Sequence, residues 1–426
     1  MTHPRRIFVF PCGSEVGLEI HRSLQHSAHF ELIGGASTDD HGRFVFENYI
    51  GDLPFHDAPG FADALIRVVN EQRIDAIYPA MDAVADTVQS LAPRLPCQVI
   101  GSSARATAIC ASKSATYALL EGRVALPTQY AAPETAQYPI FIKPDRGYGT
   151  RNCLKADNPE AAQQFLAQSA PRTFLLQEYL PGREWTVDCF SDRHGTLRFH
   201  AARGRDRISN GISVRTSPRN DFAETFAAWA AHINEALHPR GGWFFQARED
   251  DRGQPRLLEV AARIGGSSSL FRCQGVNFAL LSAFDAFEQD VFIAPNTYAL
   301  ELDRALDNRY RLSIAYGHIF VDLDDCLIVR GSINHQLVSF LYKSIGEGKS
   351  ITLLTRHARD PRQTLLMWRI GDLFDHVVHL MPHEKKSTYI DRKDAIFIDD
   401  SFAERQDVAQ RTGIPVFAPD MVEALL

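Results

Sequence analysis

Apolar and polar positions alternate on different rhythms along this chain, and the changes of rhythm divide it. From Arg6 to about Ile100, short apolar runs at Ile7–Phe10, Phe30–Ile33, Ala76–Tyr78 and Val99–Ile100 read as buried strands, and Glu15–Leu24 and Ala62–Asn70 carry helical spacing between them. Such alternation predicts an α/β unit with a parallel sheet. From about Ser103 to Phe287 the texture becomes mixed α+β, with longer strands and glycine-rich loops, and strand-like runs in Asp290–Tyr316 are expected to close it. Gly317-His318-Ile319-Phe320-Val321-Asp322 then opens a fresh strand–loop–helix series that runs to Leu426, enough for one small α/β domain. The pattern predicts an α/β and α+β multidomain chain with segments 1–102, 103–316 and 317–426.

Length and composition agree with this division. At 426 residues the chain exceeds one ordinary core of about 100–200 residues, and 45% hydrophobic with 23% charged residues is a globular balance. The formal net charge is −7, and basic residues are dispersed apart from Arg203, Arg205 and Arg207, so no broad footprint for nucleic acid exists. The seven cysteines form no CxxC pair, which predicts reduced thiols and a cytoplasmic protein. Arg5-Arg6 ahead of Ile7–Phe10 and Cys12 has the outline of an export signal, but the apolar run is too short for one and reads as a first strand. No stretch approaches the roughly 18 apolar residues of a membrane span.

Three strings carry candidate chemistry in the middle of the chain. In Pro139-Ile140-Phe141-Ile142-Lys143-Pro144-Asp145-Arg146-Gly147-Tyr148-Gly149-Thr150-Arg151, an apolar strand ends in a lysine and a loop with Gly147 and Gly149 follows. Glycine lets backbone N–H groups approach phosphate oxygens, and the lysine adds a fixed positive charge, although such loops also occur without ligands. In Thr173–Asp188, the strand end Gln177-Glu178-Tyr179 suits recognition of an adenine edge, and Glu184 suits ribose hydroxyls. In the third, Trp243-Phe244-Phe245-Gln246 and Arg256–Ser267 form two adjacent strands that would deliver Gln246 and Glu259 to one magnesium ion, with Arg263 near a transferring phosphate. The glycine-bearing turn Pro11–Gly17 could also face an anion, or be a plain strand–helix turn.

In this order and at these separations the strings resemble the ATP-grasp superfamily, in its carbamoyl-phosphate-synthetase-like branch of carboxylate ligases, over roughly residues 5–290. The resemblance implies a pre-ATP-grasp α/β domain at 1–102 and an ATP-grasp domain at 103–316. It places Lys113 and Lys143 on the ATP phosphates, Gln246 and Glu259 on magnesium, and Arg263 on the transferring phosphate. The family's asparagine is Ala261 here, which removes one amide ligand. Family members activate a small-molecule carboxylate as an acyl phosphate that an amine or other nucleophile attacks, so ATP and Mg2+ are the expected cofactors. The stretch Arg203, Arg205, Arg207, Ser209, Asn210, Gly211, Ser213 suits an anionic substrate or a solvated loop equally.

The last segment carries a second set. His318–Ile328 places Asp322 and Asp324 at the end of a buried strand, where crowded carboxylates call for a cation. Thr355 ends a second strand, Lys386 (with Lys385 as the alternative) sits at a helix start, and Asp399-Asp400 end another strand. This order resembles the haloacid-dehalogenase-like (HAD) phosphatases over residues 317–426, in an uncapped Rossmannoid form. The resemblance implies Asp322 as nucleophile, Asp324 as general acid/base, Thr355 and Lys386 on the phosphoryl group, and Asp399 with Asp400 completing a magnesium site with Asp322 and Asp324. Cys326 stands where the family most often has threonine. The expected function is a bifunctional ligase and phosphatase acting on a phosphorylated substrate. A kinase paired with a phosphatase, or a nucleotide-binding module, are the alternatives. Neither nucleic acid nor membrane is expected as a partner, and a homo-oligomer is left open.

Overall fold

The first apolar run becomes β1 (Arg5–Phe10), the central strand of a parallel sheet, because its residues are buried alternately on two faces. The computed structural model describes residues 3–147, 152–169, 172–209, 211–307, 310 and 312–426, which divide into two units, 1–306 and 307–426. With β2 (Phe30–Gly35), β3 (Asn48–Ile50), β4 (Ala76–Pro79) and β5 (Gln98–Val99), the order is β3-β2-β1-β4-β5, all parallel. Ile7 and Val9 pack on helix Glu15–Leu24 and on helix Phe278–Ala286, which arrives from far along the chain. Phe8 and Phe10 point the other way, onto helices Phe61–Glu71 and Asp82–Leu91. The three-residue β3 was not expected from the pattern, and the strand expected at Val99–Ile100 begins one residue earlier.

The rest of the first unit is built on antiparallel sheets. β6 (Gln129–Tyr130), β7 (Ile140–Pro144), β8 (Leu154–Ala156) and β9 (Phe174–Glu178) pair in the order β6-β9-β7-β8. Next in the chain are β10 (Glu184–Ser191), β11 (Leu197–Gly204), β12 (Arg207–Ser209), β13 (Ile212–Thr216), β14 (Pro218–Arg219), β15 (Gly241–Glu249), β16 (Pro255–Ala261) and β17 (Leu302–Asp303). They form a five-stranded sheet, β14-β11-β10-β15-β16, and a small one, β12-β13-β17. Helix Ala223–Leu237 covers one face of the larger sheet, with Phe226, Trp229 and Ile233 against Trp185, Val187, Trp243 and Phe245. Because strand side chains alternate, this packing turns Glu184, Thr186 and Asp188 to the opposite face. Among the described residues of 290–316, only β17 is a strand, so the strand-like runs there are otherwise loop.

The second unit repeats the parallel plan. Its strands are β18 (His318–Val321), the hairpin of β19 (Ile328–Val329) and β20 (Ser332–Ile333), then β21 (Ser350–Thr355), β22 (His376–His379), β23 (Ala395–Ile398) and β24 (Val416–Phe417). The sheet order is β22-β21-β18-β23-β24, all parallel. β18, β21 and β23 are almost wholly buried, as their continuous apolar runs require when helices cover both faces. Among the described residues, no helix is long and apolar enough to cross a membrane.

Candidate functional sites

Strand register assembles the first site. On β10, Thr186 stands opposite Arg203 of β11 and Gln246 of β15, and Gln246 stands opposite Glu259 of β16. Residues directly opposite share a face with Cβ atoms about 5 Å apart, so the four side chains form one row. Neither Gln246 nor Glu259 hydrogen-bonds another described side chain, and both present oxygens of the hard type that magnesium takes. The residues present therefore fit a magnesium ion held by Gln246 and Glu259.

The lysines sit beside this row with neutral partners. Lys143, buried at the end of β7, donates to the Tyr117 hydroxyl at 2.9 Å and the Leu258 carbonyl at 3.1 Å. Burial pulls its ammonium down to about 8, with the charge of Glu259 opposing. Lys113 opens helix Lys113–Leu120, capped by Ser112, and donates to the carbonyls of Gly147 at 3.0 Å and Asp145 at 3.4 Å. Its ammonium is also lowered, by burial first. Gly147 has a φ of 147°, a backbone conformation that favours glycine. Gly149 lies outside the described residues.

The nucleotide-facing residues of the second string separate. Gln177 is buried and its side-chain oxygen accepts from the Tyr117 hydroxyl at 3.3 Å. Glu178 is spent on the backbone, its carboxylate accepting from the Thr128 N–H at 2.8 Å. Tyr179 lies under Lys155, 4.9 Å from its ring centroid, and Arg248 at 5.9 Å. Glu184 is paired with Arg205 at 2.6 Å and with Arg248 at 3.8 Å. Burial raises its carboxyl despite these cations. Arg263 lies over the Phe244 ring and binds Asp82 at 2.6 Å, while its Nε is buried without a hydrogen-bond partner. Sequence reasoning missed Tyr117 and Thr186, whose places depend on contacts across strands and carry no local motif, and it singled out Arg205 for an anionic substrate without its pairing to Glu184.

The second site is built on the ends of three neighbouring parallel strands. Lys386 Nζ lies 2.8 Å from Asp322 Oδ1 and 2.6 Å from Asp399 Oδ2, with all three side chains buried. Its contact with Asp322 is ionic, for Asp322 Oδ1 is buried without a hydrogen bond. Burial raises Asp322, and lifts Asp399 to about 6, against the pull of Lys386. Carboxylate oxygens of Asp322, Asp399 and Asp400 lie within 4.8 Å of one another, so the donor set fits a magnesium ion. The Ser401 N–H bonds Asp399 Oδ1 at 2.8 Å and orients it.

Asp324 stands apart from these three carboxylates. It is exposed and faces His357, whose Nδ1 is 2.9 Å from both its oxygens. His357 Nε2 in turn meets Thr364 Oγ1 at 2.9 Å, and the His357 N–H donates to Thr355 Oγ1 at 3.2 Å. Lys385, the alternative to Lys386, is exposed and paired with Asp407 at 3.1 Å. His357 was not singled out from sequence, although it lies only two positions after the strand-end threonine.

Comparison with known proteins bears on the first unit. A family model described as ATP-grasp in the biosynthetic pathway with Ter operon matches residues 170–303. D-alanine–D-alanine ligases of Thermotoga sp. RQ2 and Thermotoga maritima are each 29% identical over 145 residues, covering 32% of this chain and 48% of each relative. The chain thus spans about half the length of the curated relatives it matches. Among solved structures, the biotin carboxylase domain of Hydrogenobacter thermophilus 2-oxoglutarate carboxylase, in complex with MgADP, ADP and bicarbonate, aligns with a TM-score of 0.59 at 13% identity, covering 69% of this chain and 72% of that one. N5-carboxyaminoimidazole synthetase from Staphylococcus aureus, complexed with ADP, aligns with a TM-score of 0.58 at 16% identity, covering 69% and 79%. These findings make residues 170–303 similar to an ATP-grasp family, and the solved structures share a mixed α/β multidomain fold with this chain.

Proposed function

We propose that the chain is a bifunctional enzyme: an ATP- and magnesium-dependent carboxylate ligase in 103–316, behind an α/β domain at 1–102, with a HAD-like phosphohydrolase at 317–426. One observation carries the reading: each unit gathers lysine and oxygen ligands at strand ends, with Gln246 and Glu259 side by side in the first and Asp322, Asp399 and Asp400 within 4.8 Å of one another beside Lys386 in the second. The curated relatives are D-alanine–D-alanine ligases by name and one solved neighbour is in complex with MgADP, which agrees with ATP and Mg2+ as cofactors here.

In the ligase site, Lys113 and Lys143 hold the nucleotide phosphates and Glu184 the ribose, while Gln177, Glu178 and Tyr179 flank the base. Gln246 and Glu259 hold the magnesium, which when bound neutralises phosphate charge. A substrate carboxylate oxygen attacks the terminal phosphorus, ADP leaves, and Arg263 balances charge on the transferred group. The amine then attacks the acyl carbon and inorganic phosphate departs. In the second site, Asp322 attacks the phosphorus of a phosphorylated substrate, Asp324 protonates the leaving oxygen, and water hydrolyses the aspartyl phosphate. Thr355 and Lys386 hold phosphoryl oxygens, and Asp322, Asp399 and Asp400 hold magnesium.

The test is to incubate the full chain with ATP, Mg2+ and panels of acids and amines, following ADP release and phosphorus NMR. ADP should appear only with both substrates present; acceptor-independent release, or none across a broad panel, sinks the ligase. Asp322→Asn should abolish phosphate release from a simple phosphomonoester and spare ADP release. A second reading, a nucleotide-binding module, rests on Ala261, which is buried opposite Phe244 and offers no oxygen. Tight ATP binding without turnover would favour it.

A further inference from the structure

The row across β11, β10, β15 and β16 contains two polar atoms that the proposed mechanism leaves idle. Thr186 is 1% exposed and Arg203 3% exposed, and Thr186 Oγ1 and Arg203 Nη1 are both buried with no hydrogen-bond partner among the described residues. Leaving such groups unpaired destabilises the free protein, so two of them at directly opposed positions call for a ligand. Their chemistry limits what it is: a guanidinium only donates, and a hydroxyl beside it can donate to the same acceptor, a pairing that suits an oxyanion.

The surroundings hold the guanidinium ready. Arg203 Nε donates to Asp188 Oδ2 at 2.6 Å, on the same sheet face, which fixes the plane of the guanidinium and leaves Nη1 over. The loop after β16 passes against this pair, since a Cβ on Gly265 would lie 3.0 Å from Arg203 Nη2 and 3.1 Å from Asp188 Oδ1. Further along the row come Gln246 and then Glu259, the oxygens suited to magnesium. Lys143 and Lys113 come from outside the row, from β7 and from the helix that begins at Lys113.

We propose that Arg203 and Thr186 bind the γ-phosphoryl group of the nucleoside triphosphate, and so distinguish it from the diphosphate. This rests on the ATP reading above and adds two ligands to it. The two ends of the row then divide the work: donors at Arg203 and Thr186 take phosphoryl oxygens, and acceptors at Gln246 and Glu259 take the cation. The diphosphate lacks the group they read, so its affinity is indifferent to them.

Calorimetry on the full-length protein with Mg2+ tests this, using ADP and a β,γ-imido analogue of ATP. Thr186→Val is near-isosteric. It should weaken the analogue about tenfold and leave ADP within about twofold. It should also keep or raise thermal stability, because an unpaired buried hydroxyl is gone. Arg203→Lys keeps a cation beside Asp188 and should weaken the analogue by about tenfold or more, again sparing ADP. Parallel weakening of both nucleotides, or no change in either, overturns the proposal. A wild-type protein that binds neither nucleotide overturns the ATP reading itself and this proposal with it.

Discussion

Lys386 and Lys143 are both buried lysines at the heart of a phosphate site, yet they are treated in opposite ways. Lys386 sits between two aspartates; burial draws its ammonium down, but Asp322 and Asp399 outweigh that and hold it above the ordinary lysine range. Among the described residues Lys143 has only a phenol and a carbonyl as hydrogen-bond partners, and burial wins, bringing it to about 8. The difference teaches that Lys386 carries its own counter-charge, whereas Lys143, unlike the ion-paired arginines around it, is a cation whose natural complement is an incoming polyanion. Stability and ligand affinity should therefore respond differently to the same kind of substitution.

The largest effect expected is on folding. Lys386→Met strands two buried carboxylates and should destabilise the second unit by about 3–5 kcal/mol, as breaking a buried ion pair does. Lys143→Met removes a cation without a paired carboxylate, and urea unfolding should show it within about 1 kcal/mol of wild type. Equal losses from the two would break the comparison.

Next comes pH. Asp399 is lifted to about 6, so the stability it contributes is present in full below the ordinary value of 3.8 and lost as pH rises through about 6. Metal-free protein in a chelator should therefore lose up to roughly 3 kcal/mol between pH 4 and pH 7, Asp399→Asn should flatten that slope, and Mg2+ should restore stability at the upper end. In the first unit the sign concerns binding. Lys143 is charged below about 8, so ATP affinity should fall about tenfold by pH 9, and Lys143→Arg should remove the fall. Thr364→Val should have the smallest effect: His357 keeps Asp324 and loses only its Nε2 partner, worth about 1 kcal/mol or less by thermal unfolding.

Legibility in the sequence followed the same divide. The second unit's buried parallel strands are continuous apolar runs, so their ends, and Asp322, Thr355 and Asp399 at them, stand out along the chain. β3 escaped because Asn48-Tyr49-Ile50 is a short edge strand with no apolar run of its own. In the first unit the strands were visible but their partners were not: the Glu184–Arg205 pair depends on the antiparallel register of β10 and β11. Thr186 reads as an ordinary strand threonine until its neighbours across the sheet are known. Asp324 was readable as a residue and His357 was not, because a hairpin, a helix and a strand separate them by 33 positions and only the fold brings them together.

One phenol is a mechanical part of the first site. The Tyr117 hydroxyl meets Lys143 of β7, Gln177 of β9 and the carbonyls of Leu257 and Leu258 on β16, so a single oxygen joins the four-stranded sheet to the five-stranded one. It works as a rivet between two plates, tying the ammonium to both at one point. Tyr117→Phe would take out the rivet and leave the ammonium, among the described residues, with the Leu258 carbonyl alone.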